Sequence, residues 1–256
     1  MLTKAVFPEG FGPSKKMLFR EADLTALPDL RIVPLFGPNG AGKTTFLQAV
    51  GKTLFDRLVV EKLTSETSDE DDRRFYAEES ERTVRMKGCA VETDGRPYAL
   101  LSYENSGDNF RRRNEKSLAD AFNPFLIGAR FDANSVSEGQ SIVYSVKGLF
   151  DAAKKFDDDG RDLIILLDEI DSGLSIDNVD FFMRKIRNLA KRGNIQTIFS
   201  FNNPRILKFF PNVLSMYDGK VLTLHSEDDM AEEIRRNRKT FDKIRKKSDG
   251  SPKIFQ

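Results

Sequence analysis

The residues Gly37-Pro38-Asn39-Gly40-Ala41-Gly42-Lys43-Thr44 place glycines, a lysine and a hydroxyl at the spacing G-x-x-x-x-G-K-[ST]. That spacing suits phosphate. Glycines let successive backbone N–H groups turn inward toward phosphate oxygens. A helix starting just after the loop adds a favourable field for an anion. Lys43 would reach the β- and γ-phosphates of a nucleotide, and Thr44 would ligate magnesium. Much further along, the apolar run Leu163 to Leu167 ends in Asp168-Glu169. A buried strand that delivers a carboxylate to a sheet edge is what a magnesium site needs. Asp168 would hold the ion through water, and Glu169 would orient or deprotonate an attacking water. Alone, an acidic pair after a strand is as readily a solvated turn. The phosphate loop upstream favours the site.

These groups need elements to position them. Residues 31–36 (RIVPLF) read as a short buried strand despite Pro34, and Lys43 to about Asp56 as a helix with Phe46, Leu47, Val50 and Leu54 on one face. Residues 83–92 and 97–103 flank Asp94-Gly95, a hairpin turn pair. Helices are expected over 138–156 and 177–192, and buried strands over 163–167 and 195–199. Strands alternating with helices after a phosphate loop imply an α/β fold with a mostly parallel, covered sheet.

With both motifs in place, the sequence resembles the ATP-binding-cassette (ABC) class of P-loop ATPases. The loop wording GPNGAGKTT is typical of that class and extends to Thr45. Val136-Ser137-Glu138-Gly139-Gln140 resembles the signature L-S-G-G-Q, and Ile170-Asp171-Ser172-Gly173-Leu174-Ser175 resembles the D-loop segment. The four motifs stand in the class order and cover residues 31 to about 203. The resemblance implies a P-loop NTPase fold of the ABC type, with a mostly parallel core, an antiparallel β subdomain and a small helical subdomain over about 105–155. The ATPase domain would span 1–226, followed by a basic helical tail over 227–256. It implies ATP and Mg²⁺ as cofactors, bound through Asn39, Gly40, Ala41, Gly42, Lys43, Thr44 and Thr45, with Thr44 and Asp168 toward the metal. Two copies would pack head to tail around two ATP molecules. Ser137, Gly139 and Gln140 of one copy would then reach the nucleotide held by the other.

The chain departs from the class at three points. Glu138 stands at a glycine position of the signature. The strand at 195–199 is followed by Ser200-Phe201-Asn202-Asn203-Pro204, so Asn202 takes the place of the usual switch histidine. Asparagine can hydrogen-bond a γ-phosphate but carries no charge. No glutamine lies between residues 49 and 139, where transporters keep one that couples to the membrane subunit. Asn105 or Asn109 is the candidate substitute.

Composition removes other chemistries. Cys89 is the single cysteine and His225 the single histidine, which leaves no intrachain disulfide, no cysteine-based zinc site and little scope for histidine catalysis. The longest apolar run is Leu163 to Leu167, far below a membrane span, and the first residues lack a signal-peptide core, so a cytoplasmic location is expected. Lysine plus arginine number 41 against 40 aspartates plus glutamates, a balance that excludes a uniformly charged protein. It conceals blocks: residues 61–82 hold nine acids and four bases, and residues 231–247 eight bases and three acids. Arg111-Arg112-Arg113 with Lys116 forms a second basic block. Either basic block could meet phosphate backbones or remain a solvated face.

Three readings of function follow. The missing glutamine and the wording Asp-Glu-Ile-Asp-Ser-Gly-Leu-Ser favour a soluble, non-transporter ATPase. Such a protein would be an ATP-dependent homodimer driving a protein effector or acting on nucleic acid. The nearest groups are the RecF-like and overcoming-lysogenization-defect-like ATPases of DNA repair and phage defence. A transporter ATP-binding subunit with a membrane partner is the less favoured reading. The last is a nucleotide-dependent scaffold with little turnover.

Overall fold

In the computed structural model the residues described are 1–8, 18–64, 70, 73–74, 77, 88–104, 138–156, 160–172 and 174–248. Ser137, Asn105, Asn109, the Arg111-Arg112-Arg113 block and most of the acidic 61–82 segment lie outside them.

The core is a six-stranded sheet. Its strands are β3 (Ile32–Phe36), β5 (Tyr98–Glu104), β6 (Asp162–Asp168), β7 (Ile195–Ser200), β8 (Asn212–Ser215) and β9 (Val221–Thr223), in the order β5-β6-β7-β3-β8-β9. The first five are parallel to their neighbours, and only β9 runs antiparallel to β8. A separate antiparallel sheet has the order β2-β1-β4, from β1 (Leu2–Val6), β2 (Glu21–Asp23) and β4 (Ala90–Thr93). The expected α/β class, with a mostly parallel core and an antiparallel β portion, is therefore observed.

β6 shows why the core is buried on both faces. All seven of its residues are buried. Side chains alternate across a strand, so Ile164 and Leu166 pack with α1 (Lys43–Thr64) through Phe46 and Val50. Leu163, Ile165 and Leu167 face the other way. They join α2 (Glu138–Lys155) through Val146, Leu149 and Phe150, and α3 (Ile176–Ala190) through Val179, Phe182, Met183 and Ile186. Ser175 caps α3, accepting the Asn178 N–H, and Asp177 and Arg187 suit the two ends of its dipole. α4 (Glu227–Ser248) opens on a reciprocal cap. The Ser226 hydroxyl accepts the Asp229 N–H, and the Asp229 carboxylate accepts the N–H groups of His225 and Ser226. Met230 and Ile234 seat this helix on the second cluster.

Two expectations change. The Asp94-Gly95 hairpin does not form. β4 pairs with β1 in the small sheet, whereas β5 pairs with β6 in the large one along its whole length, from Tyr98 opposite Asp162 to Glu104 opposite Asp168. The turn residues are used at the sheet ends instead: Asp94 N–H donates to the Met1 carbonyl, and the Pro97 carbonyl accepts the Asp162 N–H. A long parallel pairing against a fully buried strand outweighs the local preference of the dipeptide for reversal. The first helix also continues past Asp56 to Thr64. Val59 is buried along this stretch, Leu58 packs against the same core, and Arg57 donates to the Val91 carbonyl, so tertiary contacts carry the extra turns.

Candidate functional site

The loop 37–42 joins the end of β3 to the start of α1 at the carboxyl edge of the sheet, where parallel α/β folds bind ligands. Gly40 and Gly42 have φ of 82° and 99°, a region that side chains avoid. Gly37 has no room for one: an added Cβ would lie 2.9 Å from the Ala41 Cβ. The loop is therefore built from its backbone, and α1 begins at Lys43 with its free N–H groups facing the loop.

Three neighbouring strands deliver side chains to this edge. Lys43 is buried, and its ammonium donates to the Gly37 carbonyl at 2.7 Å and to Asn202 Oδ1 at 3.0 Å. Burial lowers its pKa, against the opposing attraction of Glu169, Asp168 and Asp171. Thr44 Oγ1 donates to Asp168 Oδ2 at 2.8 Å. Asp168 ends β6 and is buried, and desolvation raises its pKa while bonds from Ser200 and Thr44 lower it. Glu169 follows directly, and Asn202 Nδ2 approaches its Oε1 at 3.5 Å, the outer limit of a hydrogen bond. Asn202 comes from the segment after β7, across the gap from the loop.

The structure thus brings Lys43, Thr44, Asp168, Glu169 and Asn202 to one place. Asn39, Gly40 and Ala41 form the rim and wall of the loop, and Thr45 lies in the first turn of α1. Gly139 and Gln140 are in the first turn of α2, while Ser137 lies outside the described residues.

Two further residues hold this arrangement in place without any motif of their own to mark that role. Ser200 ends β7, is buried, and bonds both Asp168 and the Glu169 amide. Asp171 is buried with its pKa raised by desolvation, and its Oδ2 accepts the N–H groups of Asn202 (2.7 Å) and Asn203. That carboxylate fixes the backbone that presents Asn202. Ser200 could have been found from its place, since the last residue of a parallel strand beside β6 must meet the same edge.

The donor set suits magnesium. Thr44 and Asp168 offer hard oxygen ligands, and three carboxylates surround one ammonium at this edge, leaving negative charge in excess. A cavity of about 10 Å³ lies behind them, lined by Thr44, Gln48, Ser102 and Asp168 among others. It has room for about one water. Ser102 Oγ, which has no hydrogen-bond partner among the described residues, would be satisfied by it.

No protein-family model matches the chain, and no curated protein matches it. Solved structures do. One is cbiO1 from Clostridium perfringens, part of the ABC transporter complex cbiONQ, at 16% identity over 95% of this chain and 97% of that chain, with a TM-score of 0.43. A nucleotide-free ATP-binding cassette from an ABC transporter is similar at 12% identity over 96% and 99% of the two chains, TM-score 0.47. An ATP-binding subunit of an ABC transporter gives 12% identity over 97% and 99%, TM-score 0.46.

Proposed function

We propose that this chain binds ATP with magnesium and hydrolyses it to ADP and phosphate as a soluble, cytoplasmic ABC-type ATPase. The observation that carries the reading is the Thr44–Asp168 contact at the mouth of the glycine loop, with Lys43, Glu169 and Asn202 around it. The backbone N–H groups of the loop and of the start of α1 would cradle the phosphates. Lys43, now turned to Gly37 and Asn202, is in place to exchange those neutral acceptors for phosphate oxygens. Thr44 and Asp168 would hold magnesium, which when bound neutralises charge on the phosphate oxygens. Glu169 would orient or deprotonate the attacking water, and Asn202 would hydrogen-bond the γ-phosphate as a neutral group.

The reading extends to assembly. Two copies would enclose two ATP molecules, with Ser137, Gly139 and Gln140 of one copy completing the site of the other. The absence of glutamine between residues 49 and 139 supports a non-transporter branch that drives a protein effector or acts on nucleic acid, in DNA repair or phage defence. No described helix is long and apolar enough to cross a membrane.

The test is Lys43→Ala, measured by calorimetry with ATP and magnesium beside steady-state phosphate release from the unaltered protein. The variant is expected to lose ATP binding. Unchanged affinity would sink the assignment of the loop.

A further inference from the structure

Ser200 closes β7 and is fully buried. Its hydroxyl donates to Asp168 Oδ1 at 2.6 Å and accepts the backbone N–H of Glu169 at 2.7 Å. Thr44 donates to the other oxygen of the same carboxylate. Each Asp168 oxygen therefore has its own hydroxyl donor, and the plane of the group is fixed from both sides.

The bond to the Glu169 amide has a second effect. Among the described residues Glu169 is the one non-glycine with positive φ, at 47°. Side-chain-bearing residues populate that region sparsely, and it persists only where the surroundings impose it. Rotation through φ is rotation about the N–Cα bond. A held N–H fixes the peptide plane and with it the N–Cα axis, and the Glu169 carbonyl, which accepts the Ser172 N–H at 3.1 Å, fixes the far side, so φ and the direction of Cβ are set between the two. Ser200 holds that N–H from a neighbouring strand that is itself buried at every position.

We propose that Ser200 is a positioning residue that aims the Glu169 carboxylate by holding its amide in the left-handed turn while it orients Asp168. It acts through these two groups. Its effect on turnover rests on the ATPase reading above, but its hold on the Glu169 amide does not.

Ser200→Ala tests this on two independent readouts. The first is turnover. Misaiming a group that works in the transition state costs kcat, so kcat is expected to fall about 10- to 100-fold, with KM for ATP within about threefold. In a Glu169→Gln background the same substitution is expected to cost clearly less than in the unaltered protein, the remaining loss being the part carried through Asp168. A full, additive loss there would overturn the proposal. The second readout is hydrogen exchange of the Glu169 amide without nucleotide. It is expected to be slow in the unaltered protein and to speed up at least about tenfold in Ser200→Ala, while the amides of β3 and α1 stay unchanged. An unprotected Glu169 amide in the unaltered protein would overturn the proposal even if the variant failed to fold. If the unaltered protein releases no phosphate, the ATPase reading fails and the exchange result still decides the role of Ser200.

Discussion

β6 carries a buried aspartate at each end, and the two ends are completed in opposite ways. At the start, Asp162 accepts the Met1 ammonium at 2.5 Å on one oxygen and the Arg96 guanidinium at 3.3 Å on the other. Asp94 shares the same ammonium. Two cations meet two carboxylates, so the charges balance. At the far end, Asp168 is held by two neutral hydroxyls, Thr44 and Ser200. Glu169 and Asp171 stand close by, and Lys43 is the ammonium they all attract. The first end is closed and does structural work. The second is left with excess negative charge on largely buried carboxylates, a state that favours a cation from outside. Burial alone would not separate a structural aspartate from a functional one here. The charge on the partners does.

The largest effect expected from this contrast is at the closed end. Asp162→Asn leaves the Met1 ammonium to Asp94 alone, while the exposed Arg96 turns to solvent. Losing the charged hydrogen bond to the buried ammonium costs about 2–3 kcal/mol, or a fall in Tm of about 4–12 °C for a chain of this size. A thermal melt that shifts by less than a degree would show that the cluster is not a stabilising pair in solution.

Asp168→Asn should do the reverse. Its hydroxyl partners can each rotate to accept as well as donate, so the amide keeps both bonds while the charge is removed. Relief of a functional-site charge is worth about 0.5–2 kcal/mol. The pH dependence has a definite sign. Burial raises the Asp168 carboxyl above its ordinary value, so the folded chain takes up this proton at higher pH than the unfolded chain does. The stability linked to the group is fully present below the unfolded value of about 3.9. It is lost as pH rises through the folded value. With EDTA and no nucleotide, the variant is expected to melt above the unaltered protein at pH 8 and together with it near pH 4. A gap that is absent at pH 8, or that persists at pH 4, would break the comparison.

The two ends also differed in how legible they were from sequence. The functional end announces itself locally. The glycine loop, the apolar run into Asp168-Glu169 and the amphipathic α3 each lie within a short window, and the alternation of strands and helices gives the parallel core. The structural end depends on pairings far apart in the chain. Met1 meets Asp162, and Leu2 N–H meets the Gln196 side chain, with no pattern in either segment that names the other. β1, β2, β8 and β9 carry no such signal: each is three to five residues long and, unlike β3, has no motif beside it to mark it. Asp94-Gly95 misled for the same reason, since its turn preference is local and the pairing of β5 with β6 is not. Ser200 fell between the two cases: its strand was legible, but its hydroxyl gains meaning only once β7 is known to lie beside β6.

The smallest expected effect concerns the residue that follows Asp168. Glu169 holds a left-handed backbone at φ 47°. A residue with Cβ loses about 1–2 kcal/mol there. Glycine escapes that cost but gains freedom in the unfolded chain, worth about 0.4–1 kcal/mol against it. Glu169→Gly should therefore be more stable than Glu169→Ala by about 0.5 kcal/mol, although both remove the carboxylate. Because the side chain is absent from both variants, the difference isolates the backbone. Urea midpoints measured side by side resolve it. If alanine proves as stable as glycine, the left-handed turn is not maintained in solution, and the excess charge at this end of β6 is displayed without being aimed.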